Sequence, residues 1–127
     1  MREKIRDKGR LEHILQAIDY IFEFTKNVTY EDFIGNKMLT FAVIKNIEII
    51  GEASYRLTKE FQKKHKEIEW DIIVKMRHVL VHGYYQIEDR FAWFVIQNDL
   101  HPLKGKIQQI YEQEYGDENG LFKHEKA

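Results

Sequence analysis

IKNIEIIGEASYRL, residues 44–57, is the stretch on which the fold turns. Val43, Ile47, Ile50, Ser54 and Leu57 recur at three- and four-residue steps, the period of one helix face. Phe41, Ile44 and Ile49 widen that line, and Lys45, Glu48, Glu52 and Lys59 make the polar side. So broad an apolar surface predicts a long helix, residues 36–64, near the centre of a bundle. Gly51 lies in its interior, where glycine costs about 1 kcal/mol relative to alanine. A close helix crossing at that point would explain its presence.

Outward from this segment the pattern stays helical. Leu11, Ile14, Leu15, Ile18, Ile21 and Phe22 draw an apolar stripe on a first helix, residues 4–25. Residues 27–30 interrupt it, and Thr29 precedes Asp32 by three positions, as in a capping box. Downstream, Ile72, Ile73, Met76, Val79 and Leu80 share a face of a third helix that begins near Trp70 or Asp71. Gly83 is its expected C-terminal cap. Residues 84–89 read as a loop, and a fourth helix is expected from Asp89 or Arg90. It carries Phe91, Phe94 and Val95 on one stripe and Trp93, Ile96, Leu100 and Leu103 on another. Pro102 should kink it or start a new turn, and the pattern runs on through Ile107, Ile110 and Tyr111.

Composition agrees with one compact helical domain. In 127 residues, 43% are hydrophobic and 13% aromatic, enough for a core, and only one proline interrupts the chain. These features predict an all-α fold, with residues 1–115 as a single domain and residues 116–127 as a polar tail. There is no cysteine, which excludes disulfides, thiolate metal sites and a cysteine nucleophile. No apolar run approaches the roughly 18 residues of a membrane span, and the charged start MREKIRDKGR lacks the apolar stretch of a signal peptide. A cytoplasmic protein without a membrane partner is the expectation. A formal net charge of -1 provides no global positive field. Any surface for nucleic acid must then be a local patch or arise by oligomerisation. The most basic run, residues 63–66 (KKHK), suits a solvated helix end, where cations complement the helix dipole; phosphate contact is the other reading.

Chemistry concentrates in WDIIVKMRHVLVHGYY, residues 70–85. Arg77 offers a permanent charge and a planar fork of donors that matches a phosphate. His82 titrates near neutrality. An arginine that neutralises developing charge and a histidine that moves protons would suffice for metal-free cleavage of RNA, where the ribose 2′-hydroxyl can serve as the nucleophile. Each residue also has a plain structural reading: Arg77 pairs with Glu48 or Glu52, His82 caps the helix, Tyr84 is a surface aromatic, and Trp70 is a core anchor. His78 and His82, four apart, form a competing metal pair, with His101 or an acidic residue as a third ligand. No carboxylate stands within their turn, and the reading assigns no metal and no cofactor. On a continuous helix Arg77 and His82 lie about 140° apart around the axis. Either the helix loosens before His82, or the two groups meet across two chains of a symmetric dimer.

The order Arg77, four residues, His82, one residue, Tyr84 resembles the signature of HepT toxins in the HEPN superfamily. Residues 44–57, residues 70–85 and WFVIQNDLHPLKGKI, residues 93–107, resemble that family's successive helical segments. The resemblance covers residues 7–111. His78 stands where asparagine is usual. The resemblance implies a four-helix up-and-down bundle, with a short extra C-terminal helix or frayed tail. It implies a homodimer with two motifs facing one cleft. It further implies a metal-independent ribonuclease, the toxin of a type VII toxin–antitoxin system acting on cellular RNA, with tRNA among the candidate targets. Arg77 and His82 would be catalytic, with His78 and Tyr85 in support. The implied partner is a minimal nucleotidyltransferase antitoxin that moves AMP from ATP onto Tyr84. The alternative from another class is a non-catalytic helical module that docks a nucleotidyltransferase or a nucleotide.

Overall fold

The computed structural model describes the backbone of residues 2–82 and 85–116 and the side chains of residues 6–80 and 89–116. Helices dominate, and no strand occurs among the described residues. The order is α1 (Arg2–Phe24), α2 (Tyr30–Ile34), α3 (Lys37–Arg56), α4 (Lys59–Lys64), α5 (Trp70–His82), α6 (Tyr85–Asn98) and α7 (Leu100–Tyr115). α3 packs against both α1 and α5, and α7 packs on α1 and α6. The helical bundle is therefore built on α1, α3, α5 and the α6–α7 pair, with α2 and α4 as short connectors. Polar residues 117–127 lie outside the described residues.

Local chemistry sets the boundaries. Asn27 adopts φ 60, a left-handed conformation that asparagine tolerates, and ends the turn after α1. The Thr29 capping box forms: the Asp32 amide donates to the Thr29 hydroxyl at 3.1 Å, and the Thr29 amide donates to the Asp32 carboxylate. Asn36 caps α3 by accepting from the Leu39 amide at 3.1 Å.

The expected helix over residues 36–64 is in fact two helices. Leu57 is extended, with ψ 144, and Thr58 caps α4 by accepting from the Phe61 amide. The break is held from α1. The Asp7 carboxylate, 5% exposed, accepts from the Thr58 amide at 2.9 Å and from its hydroxyl at 2.8 Å. Lys63 and Lys64 occupy the last turn of α4, in keeping with a helix-dipole role. His65 instead turns inward, where its Nε2–H donates to Glu114 on α7 at 2.5 Å.

α6 begins four residues before the expected Asp89, at Tyr85. The polar residues Gln86, Glu88 and Asp89 suggested a loop, but acidic groups are favourable in a helix's first turn. Pro102 is the third residue of α7 and starts a new helix, since a first-turn proline forfeits no intrahelical bond.

The core is one cluster in which Ile14, Ile18 and Ile21 meet Val43, Ile47 and Ile50, closed by Ile73, Met76, Val95, Ile107 and Ile110. Trp70 is a buried anchor whose indole N–H donates to the His65 carbonyl at 3.0 Å. Not every apolar residue of the expected stripes is inside. Phe41, Ile72, Val79 and Phe94 are exposed, because their helix sectors face away from the other helices of this chain.

Candidate functional site

α3 and α5 cross at Gly51. A Cβ built there would stand 2.5 Å from the Arg77 Cβ and 3.3 Å from its Cδ. The crossing inferred from one glycine is thus real, and the Arg77 stem lies flat against the α3 backbone. This contact fixes where Arg77 leaves its helix, and its half-exposed guanidinium reaches Glu52, with Nε 3.6 Å from Oε2. Glu52 is held more tightly by Arg56, whose Nε donates to Oε1 at 2.7 Å. That hydrogen bond, together with the fields of Arg56, Arg77 and Arg10, keeps the Glu52 carboxyl below its ordinary value against a partial burial that opposes it. The expected pairing of Arg77 with an α3 carboxylate is present, and it is the looser of these two Glu52 contacts.

Beside Arg77 lies a polar groove of about 280 Å³ between α1, α3 and α5. Arg10 and His13 enter from α1, Lys45, Glu48 and Glu52 from α3, and Arg77 from α5. The sequence reading singled out Arg77 with Glu48 and Glu52 and put Lys45 on the same polar side, whereas Arg10 and His13 escaped it. The only prior signal was the three-residue step from Arg10 to His13 on the polar side of α1.

His78 follows Arg77 and is exposed. The helical backbone of α5 continues through His82, so the helix does not loosen between Arg77 and His82. The two positions therefore keep their separation of about 140° around one axis. Tyr85 opens α6. Tyr84 and Gly83, the expected cap, and the side chains of His82 and Tyr85 lie outside the described residues. His101, a possible third ligand in the metal reading, stacks on Phe22 with ring centroids 4.1 Å apart. Among the described residues no group of three or more metal-ligating side chains is assembled, and no helix is long and apolar enough to cross a membrane.

Comparison with known proteins gives a consistent answer. A family model described as Ribonuclease HepT-like matches residues 14–110. A protein named "Probable ribonuclease HepT" from Thermococcus cleftensis is 41% identical over 103 residues, covering 81% of this chain and 94% of the relative. A "Putative RNase" from Caldanaerobacter subterraneus is 38% identical over 104 residues, 82% of this chain and 93% of its own length. Another, from Methanocaldococcus jannaschii, is 36% identical over 103 residues, 81% of this chain and 94% of its own. No solved structure gives a significant match.

Proposed function

Since the chain belongs to the HepT-like ribonuclease family, we propose that it cleaves cellular RNA without a metal, with Arg77 and His82 as the catalytic pair. The observation that carries this reading is the seating of Arg77 on Gly51. It presents a half-exposed guanidinium at a polar groove, five positions before His82 on one unbroken helix. His82 takes the proton of a ribose 2′-hydroxyl, and that oxygen attacks the adjacent phosphorus. The bond to the 5′-oxygen breaks, that oxygen takes a proton from solvent, to which His82 returns the one it removed, and a 2′,3′-cyclic phosphate remains. Arg77 neutralises the charge that builds on the phosphoryl oxygens in the transition state. His78 and Tyr85 support the site.

The active unit in this proposal is a homodimer in which Arg77 of one protomer works with His82 of its partner. The unbroken α5 favours it. So does α3, where Met38, Phe41 and Tyr55 lie within an arc of about 100°. All three on that arc are exposed apolar side chains that a second copy would cover.

The biological role we assign is that of a type VII toxin. Its antitoxin, a minimal nucleotidyltransferase, transfers AMP from ATP to the Tyr84 hydroxyl with release of pyrophosphate. The added charge and bulk then exclude RNA phosphate from the site. Expression of the native chain and of an Arg77/His82 double alanine variant, each with and without the antitoxin, tests this. Growth arrest and RNA cleavage in EDTA should appear only with the native chain alone. Equal arrest by the double variant would overturn the assignment, and a folded native chain that leaves RNA intact would leave the non-catalytic docking module in its place.

A further inference from the structure

The groove beside Arg77 has a composition that cleavage chemistry alone does not require. Three cations, Arg10, Lys45 and Arg77, converge on it from three different helices against two carboxylates. One of those carboxylates, Glu52, is taken up by Arg56, and the other, Glu48, is only loosely met by Lys45 at 3.9 Å. Arg10 is the most unusual member. Its Nε is buried and has no hydrogen-bond partner among the described residues, although a buried donor of a charged group ordinarily finds one. The same arginine lies near enough to Glu52 to act on that carboxyl alongside Arg77. A groove of about 280 Å³ is too small for a whole nucleotide held on all sides and ample for a phosphate. In a chain of net charge -1 this is a local gathering of cations next to the proposed catalytic arginine.

We infer that Arg10 and Lys45 bind a backbone phosphate of the RNA next to the one being cleaved, positioning the strand so that the scissile phosphate meets Arg77. This rests on the ribonuclease reading and adds a second point of attachment to it. Such contacts carry no base information, so they strengthen binding of any single strand. They also make it salt-dependent, because each neutralised phosphate releases counterions.

The test is binding of a fluorescent single-stranded oligonucleotide with 2′-O-methyl riboses, which keeps every phosphate and removes the nucleophile. Affinity is measured over a range of salt concentrations for the native chain and for Arg10→Ala, Arg10→Lys and Lys45→Ala, with Lys104→Ala, outside the groove, as control. Lys45 is largely exposed, so its variant keeps the groove testable if Arg10→Ala fails to fold. Arg10→Ala and Lys45→Ala should each bind about tenfold more weakly. The slope of log affinity against log salt should fall by about 0.7 per lost phosphate contact. Arg10→Lys should retain the slope, and Lys104→Ala should match the native chain. Folded variants with native affinity and slope overturn the inference while leaving the ribonuclease reading intact. So does a native chain that cleaves RNA yet binds the probe with no salt dependence. A native chain that neither binds the probe nor cleaves RNA removes both. Variants that bind RNA normally but lose the antitoxin assign the groove to protein docking and also overturn it.

Discussion

At the scale of single residues, Gly51 and Arg77 form a unit. The helix crossing leaves no room for a β-carbon, since it would sit 2.5 Å from the Arg77 Cβ. Gly51→Ala must therefore push α5 off α3, at a cost of roughly 1–3 kcal/mol from overpacking. It should also displace the guanidinium, so cleavage should fall by more than the loss of folded protein explains. Denaturant unfolding and a rate assay on the same sample check both expectations. Tyr84 gives a second prediction. With antitoxin and ATP present, peptide mass spectrometry should find AMP on Tyr84, and Tyr84→Phe should escape both modification and neutralisation. An adduct on Tyr85 would reassign the acceptor.

At the scale of elements, the long helices were legible because their apolar residues keep a 3.6-residue period. The break between α3 and α4 was not. Ser54, Leu57 and Phe61 continue the three- and four-residue steps straight through it, and the group that stabilises the break, Asp7, is 51 residues away from Thr58. The groove escaped for the same reason: Arg10 and Lys45 meet only once α1 packs on α3. Arg77 and Gly51 could be read in advance because each carries a local oddity, one a motif and the other a helix-interior glycine. Between α4 and α7, burial pushes the Glu114 carboxyl up, but hydrogen bonds from Lys64 and His65 outweigh it and hold the carboxyl below its ordinary value of 4.5. A carboxylate whose folded pKa is depressed stabilises the fold above its unfolded value. That contribution is lost as pH falls through the folded value. Acid should therefore weaken the native chain below pH 4.5, and Glu114→Gln should flatten that limb of the profile. Unfolding midpoints measured for both chains across the acid range decide it; parallel profiles would remove Glu114 from the account.

At the scale of the whole molecule, the helical fold and family are settled, and the proposal concerns assembly. On α5, unbroken from Trp70 to His82, the positions of Arg77 and His82 lie on different faces of one helix. The exposed Met38, Phe41 and Tyr55 on α3 offer a surface that a second copy would cover. Light scattering at micromolar concentration should give twice the chain mass, and Phe41→Glu should reduce it toward one. The central claim, a metal-free site shared between two chains, is tested most directly by complementation. RNA cleavage is measured in EDTA for Arg77→Ala, for His82→Ala, and for an equimolar mixture allowed to exchange subunits. Each variant alone should be inactive. A mixed dimer joins the intact Arg77 of one chain to the intact His82 of the other, so the mixture should recover about a quarter of native activity: half of the dimers are mixed, and each holds one working site of two. A mixture as inactive as its components, or native cleavage by either variant alone, would contradict the account.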